Sequence, residues 1–403
     1  MVLTNFLQRF RILVLLAFFA GPVLSQNQAA ADSLFAGFMK RWNISGGSIA
    51  VSRQGQFIYQ RGIGYADVHR SELVQTDTRF RLASLSKCFT ASAIMKLVEQ
   101  GRLSLNQKVF GKDRLVDAAF YSEVISNPLI YDITVRNLLE HTAGWDRKNR
   151  SLREGAGDPP FHPLYITKSE HLPNPVTDSA LIRYSLRRGP DNSPGTAFAY
   201  SNVGYLILGK IIEKVSGESY ADFVQHELFA PLGLNDFELG HTALAERLPR
   251  ESYYFSEDRG LSCNGDNKLV SCAYGAYHVE AMNAHGGWIG SAEELCRYLN
   301  NLTGYDGRYP ILQTATVQEM IQAGTAYPNY AKGWFVNAKG TFWHTGSLDG
   351  SSTFMGTTKN GYTWAFLFNG RGDNSSQFWK ELDALPWQLN KLIQEADTQS
   401  KAF

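Results

Sequence analysis

Two stretches of β-type periodicity lie at opposite ends of this chain, with a long helical pattern between them, and that order constrains the fold more than any other feature. Residues 47–53 and 57–65 alternate or run apolar around Gln54-Gly55-Gln56, which predicts a β-hairpin. Apolar spacing of three and four then predicts helices over 84–100, 135–141, 177–187, 202–215, 220–229 and 291–299. Short aromatic and β-branched runs return at 333–337, 341–344, 352–358 and 362–369, and an amphipathic helix is expected over 376–395. Strands that come from both termini can share a sheet only if the helical middle is an insertion. The expected architecture is therefore α/β (α+β), with a sheet domain of residues 26–82 plus 306–403, a mostly helical domain of 83–305, and a cleft between them.

A length of 403 residues suits two lobes better than one core, and 44% apolar with 19% charged residues is ordinary for a folded protein. Arg9 and Arg11 precede an apolar run over 12–20, and Val23-Leu24-Ser25 offers a cleavage site, so residues 1–25 read as a signal peptide and the mature protein as secreted or periplasmic. That run is short of the ~20 residues a membrane span needs. Removing residues 1–25 takes away two arginines and no acid, so the net charge moves from +1 to −1. A near-neutral chain has no electrostatic means of capturing nucleic acid, and a small-molecule or peptide-like partner is expected. Oligomeric state is not legible.

Of four cysteines, Cys263 and Cys272 bracket the turn Asn264-Gly265-Asp266-Asn267 and are expected to form a disulfide in an exported protein. Cys88 and Cys296 fall in apolar helical patterns and read as small core residues. Residues 145–176 are rich in Pro, Gly and charge with weak periodicity, and read as a lid.

The chemistry lies in three short motifs. Ser84 and Lys87, in Ser84-Leu85-Ser86-Lys87, stand one helical turn apart, close enough for a lysine made neutral by burial against Phe89 to take the serine proton. Tyr200-Ser201-Asn202 follows a turn and precedes a helix, which places the Tyr200 phenol at a cleft as a proton carrier. Tyr298-Leu299-Asn300 and Tyr327-Pro328-Asn329 share the Tyr-x-Asn pattern but sit inside a helix or beside a proline. His344-Thr345-Gly346-Ser347 ends a β run, where glycine lets a substrate backbone approach and the Ser347 amide can join that of Ser84 in an oxyanion hole. His285-Gly286-Gly287 competes for that assignment and reads as a packed histidine. Gly204 to Lys210 nearly matches a phosphate loop, but Ile211 stands where a hydroxyl would hold magnesium. No His-Glu-x-x-His occurs and the histidines are scattered without ligand spacing, so no catalytic metal is expected and no cofactor is implied; the lack of Gly-x-Ser-x-Gly disfavours the α/β-hydrolase fold.

Together with Thr78 to Ala83, Leu138 to Gly144, Pro194 to Tyr205, Gly286 to Leu295 and Gly333-Trp334, these motifs give a chain that resembles the serine β-lactamase and penicillin-binding protein superfamily. The resemblance is to its class C-like branch, with D-alanyl-D-alanine carboxypeptidases, D-aminopeptidases and carboxylesterases. It implies an antiparallel sheet flanked by terminal helices, and a serine hydrolase in which Ser84 forms the acyl-enzyme, Lys87 is the base, Tyr200 relays protons and Asn202 binds a substrate amide. Thr345, Gly346 and Ser347 would complete the substrate-binding edge. One position departs: His344 stands where β-lactamases and D,D-peptidases place lysine. An imidazole does not offer a substrate carboxylate a permanent charge, which argues against strong β-lactamase activity. A penicillin-binding-like receptor with little turnover is the alternative expectation.

Overall fold

The computed structural model describes residues 28–149 and 157–400, with side chains through residue 392, so the expected signal peptide lies outside the described residues. Seven antiparallel strands form the main sheet, in the order Glu72–Leu73, Gln56–Asp67, Gly46–Arg53, Tyr362–Phe368, Ser351–Thr357, Phe342–Leu348 and Phe335–Val336. The two ends of the chain meet at its centre, where Gly47 pairs with Phe368 and Arg53 with Tyr362.

A helix over 28–41 and the C-terminal helix Ser376–Ser400 cover one face. Alternation along the central strands points Ile49, Val51, Phe366 and Phe368 at Phe35, Phe38 and Phe378 of those helices, a separate aromatic core. The opposite face joins a larger core around helix Ser86–Glu99. Helix Ala292–Leu302 also touches the sheet there, through Asn300 Oδ1, which accepts from Ser52 Oγ at 2.9 Å, and Cys296, whose thiol contacts the Ala50 carbonyl at 3.3 Å.

Helix Ser86–Glu99 is buried nearly all round. Phe89 anchors it, with ring centroids 4.9 Å from Phe229, 5.1 Å from Phe237 and 5.0 Å from Tyr298. Burial of a phenylalanine side chain stabilises by roughly 1.5–3 kcal/mol, so these contacts hold the helix and its first turn in place. Phe89 therefore does not bury Lys87, as the sequence implied. Two residues further along a helix, it faces away from Lys87, and the lysine is enclosed instead by Tyr200 from a loop and Tyr205 from the helix that follows it.

Cys263 and Cys272 are free thiols, against the expected disulfide. The turn signal does form a hairpin, Arg259–Leu261 with Leu269–Ser271, but its register sets the cysteines apart. Cys272 falls opposite Asp258, to whose carbonyl its amide donates, whereas Cys263 lies past the other end of the pairing and donates to Gly275. Burial pushes the Cys263 thiol up to about 11.

Residues 145–176 hold more structure than a plain loop. They contain helix Pro163–Glu170, and Trp145 is buried with its indole N–H donating to Ser185 O at 3.0 Å. Buried Glu170 accepts from Arg187 at 2.9 Å and Arg183 at 3.2 Å, tying this segment to helix Asp178–Arg188.

Candidate active site

Ser84 sits in a single 3-10 turn, Ala83–Leu85, that feeds directly into helix Ser86–Glu99. Ala83 immediately before it has φ of 50°, a left-handed conformation that disfavours any side chain. The surrounding bonds hold it there: Leu82 O accepts from both Leu85 N and Thr353 Oγ1, the latter at 2.9 Å. The Ser84 turn is thus braced against the strand next to Phe342–Leu348.

Gly346 explains how the turn comes so close. A Cβ there would collide with the Thr353 hydroxyl and the Leu82 carbonyl and lie 3.1 Å from Ala83 Cβ. The glycine therefore makes room for the Ser84 turn, and His344-Thr345-Gly346-Ser347 lies inside strand Phe342–Leu348 and not at its end. The chain reverses later, at Asp349-Gly350, where Gly350 has φ of 72°. Gly346→Ala is expected to lower the melting temperature, with about 1–3 kcal/mol lost to overpacking, and to slow any reaction at Ser84. Paired thermal melts and initial rates test this, and a variant unchanged in both contradicts it.

Lys87 is fully buried, with Nζ 3.0 Å from Ser84 Oγ and 2.7 Å from His285 O. Burial first, and the charge of Arg147 second, pull its pKa well below the usual lysine value, while Asp158 works in the opposite direction. A neutral amine in this place gives one hydrogen to the His285 carbonyl and points its lone pair at the Ser84 hydroxyl. His285, read from sequence as packing only, thus contributes its backbone to the site.

Tyr200 also approaches the Ser84 hydroxyl. Lys87 Nζ lies 5.0 Å from its ring centroid and 5.7 Å from that of Tyr205, on helix Asn202–Ser216. Ser201 caps that helix by accepting from Gly204 N, which is why the residue before it can project from a loop into the cleft. Burial pushes the Tyr200 phenol up, and its hydrogen bond with Ser84 and the charge of Arg147 partly offset that.

Asn202 is buried, and its amide group donates to both oxygens of Asp158, at 2.9 and 3.0 Å. Its side-chain oxygen has no protein partner. Asp158 also meets Arg147 Nη1 at 3.4 Å, and the Arg147 guanidinium covers the Tyr200 ring at 4.6 Å. Sequence reading missed both charges. They lie in the segment read as a lid, and only their charge amid turn residues marked them.

His344 is buried, with Nδ1 2.6 Å from the Thr345 carbonyl and Nε2 3.3 Å from the Tyr330 hydroxyl. A carbonyl only accepts, so Nδ1 carries the hydrogen and Nε2 its lone pair. Burial and then the Lys87 charge push its pKa down to about 3. An NMR titration of the ring should therefore find one neutral tautomer from about pH 5 to 8, a range in which an ordinary histidine changes charge. A midpoint near the unperturbed value contradicts this environment.

His141, with φ of 54°, is a second buried imidazole pushed well down by burial and neighbouring charge. Its Nδ1 accepts from Ser201 N at 3.2 Å and its ring lies 4.2 Å from that of Tyr200. Motif reading passed over it.

These groups open onto a cavity of about 640 Å³ lined by Ser84, Tyr200, Asn202 and the whole edge from His344 to Ser347. Strand Phe342–Leu348 is paired on its outer side only at Phe342 and Trp343, so the later residues present a sheet edge to that space. Of the site residues named from sequence, Lys87 alone stands behind the wall, in contact with Ser84. Among the described residues, one group of metal-ligand type occurs, His241 with Glu246 and Glu280, and none of these lines this cavity.

Comparison with known proteins agrees with this architecture. The chain is 31% identical over 219 residues to penicillin-binding protein 4* of Bacillus subtilis (strain 168), covering 53% of this chain and 42% of the relative. It spans about half the length of the curated relatives it matches. Among solved structures it superposes on D-amino acid amidase from Ochrobactrum anthropi SV3 with a TM-score of 0.68 at 22% identity, covering 92% of this chain and 99% of that one. EstCE1, described as a hydrolase with promiscuous acyltransferase activity, gives 0.66 at 22% identity, covering 93% and 99%. The family model for Beta-lactamase matches residues 31–385, nearly all of the described chain, and the protein therefore belongs to the Beta-lactamase family.

Proposed function

We propose that this protein is a serine hydrolase that cleaves an ester or amide through an acyl-enzyme on Ser84. The observation that carries this reading is the buried Lys87 amine, 3.0 Å from Ser84 Oγ and held by the His285 carbonyl. Lys87 takes the Ser84 proton as Oγ attacks the carbonyl carbon. Tyr200, in contact with Ser84, hands a proton to the leaving oxygen or nitrogen and afterwards helps draw one from water. The Ser84 and Ser347 amides receive the oxyanion. Asn202 offers its unpaired side-chain oxygen to a substrate N–H, and His344 with Thr345 and Gly346 shapes the acyl edge.

The substrate is small or peptide-like, in keeping with the cavity volume and with relatives named as an amidase and a hydrolase. A neutral His344 favours substrates that need no carboxylate anchor there. Export, with removal of residues 1–25, belongs to the same reading and rests on the sequence alone.

Incubation with p-nitrophenyl esters, D-amino acid amides, D-Ala-D-Ala peptides and a chromogenic cephalosporin tests it, with intact-mass detection of the adduct. Turnover of an ester or amide with a transient adduct on Ser84 is expected. A permanent adduct without turnover would identify a binder, and no adduct at all would remove the acyl-enzyme.

A further inference from the structure

Tyr200 lies among ionisable groups that reach it from several elements. Lys87 comes from the nucleophile helix, and Arg147 covers the ring at 4.6 Å from the segment after Trp145. The imidazoles of His141 and His344, 4.2 and 6.3 Å from the ring, are both held uncharged by burial. Cys88, also fully buried, has its thiol pushed well up, and the phenols of Tyr205 and Tyr330 are likewise pushed up, so these groups stay neutral. Asp158 is the nearby anion, and Asn202 holds it by both oxygens. That tether keeps Arg147 in place through its contact with Asp158, 3.4 Å away.

A lysine at position 344 would supply a fixed cation to this chamber from the sheet side. The histidine there does not. The guanidinium of Arg147 supplies one, 4.6 Å from the centroid of the Tyr200 ring, and a guanidinium keeps its charge across the working pH range.

We propose that Arg147 is a positioning residue that provides a fixed positive charge beside Tyr200, favouring an unprotonated Lys87 before acylation and stabilising Tyr200 as its proton leaves. The sequence of transfers balances. The Ser84 proton moves to Lys87 as the Oγ–carbon bond forms, Tyr200 gives its proton to the leaving group as the scissile bond breaks, and the Lys87 proton then restores the phenol. Between the last two transfers the ring oxygen carries negative charge, and a cation over the ring is then worth more than in the resting state.

This rests on the serine hydrolase reading, so the test first asks whether Ser84 reacts with a serine-directed probe in the native protein. Given that, kcat/KM for a neutral activated ester is measured against pH for Arg147→Met and Arg147→Lys. Removing the cation should lower the rate at pH 7 by about 10- to 100-fold and move the acid limb upward by about one unit, because Lys87 then keeps its proton to higher pH. Arg147→Lys should return the limb most of the way toward the native position. Arg147 is partly exposed, and equal melting temperatures will show that the fold is intact. A Met variant with a native pH profile, or a Lys variant as displaced as Met, overturns the role of Arg147 while leaving Ser84 in place. Should the Met variant fail to fold, the Lys variant decides alone, a native limb supporting the role and a displaced one ending it. An unreactive Ser84 in the native protein overturns both.

Discussion

Replacing Ser84 with alanine is expected to abolish covalent labelling and to reduce ester or amide turnover by roughly 10³- to 10⁶-fold, with little change in melting temperature. The size follows from the way nucleophile, base and proton carrier act as a unit: with no Oγ, neither Lys87 nor Tyr200 has a group to serve. Stability should hold because Ser84 is only half-buried and the variant gives up the hydrogen bond of its hydroxyl with Lys87. Lys87 keeps the His285 carbonyl as a partner in the variant, so no buried amine is orphaned. Intact-mass spectra after probe treatment, with initial rates on the best ester, are the measurement. Turnover equal to the native protein would show that the reaction proceeds elsewhere.

Lys87→Met is the second large effect, and it separates catalysis from stability. Activity should fall about as far as for Ser84→Ala, and the double variant should lose little more, since either change disables the same unit. Stability should respond in a pH-dependent way. The folded-state pKa of Lys87 lies well below the unfolded value of 10.5, so between the two the unfolded chain binds a proton that the folded one does not. That destabilises the native protein most below the folded pKa, and the effect disappears as pH rises through 10.5. Native stability relative to the Met variant should therefore climb with pH from neutrality toward 10, by at most about 1.4 kcal/mol per pH unit. Parallel denaturant melts at several pH values measure the slope. A flat or falling difference means that Lys87 is charged in the folded state, which would remove it as the base.

The parts that were legible in sequence are local. Alternation over Ile49 and Val51, and over Phe366 and Phe368, depends on a two-residue period that any half-buried strand must show, and the sheet contains these residues as expected. The spacing of Ser84 and Lys87 is likewise a property of one helical turn. Where reading stopped short, the deciding neighbour was distant. Gly346 reads as room for a substrate backbone until Leu82 and Ala83 are brought against it. His285 reads as packing until its carbonyl meets an amine 198 residues away. The Cys263–Cys272 pairing failed on hairpin register, which composition does not encode.

By itself the amino-acid order determined which atoms were available for the reaction and which segments would be strands or helices, since both follow from short-range geometry. Only the tertiary structure decided their charge states. Segments from across the chain exclude water around Lys87 and His344 and so favour their neutral forms, and Arg147 gains influence because Asp158 and Asn202 hold it over Tyr200. Desolvation and Coulomb terms are sums over everything nearby in space, and proximity of that kind is fixed only when the chain has closed on itself.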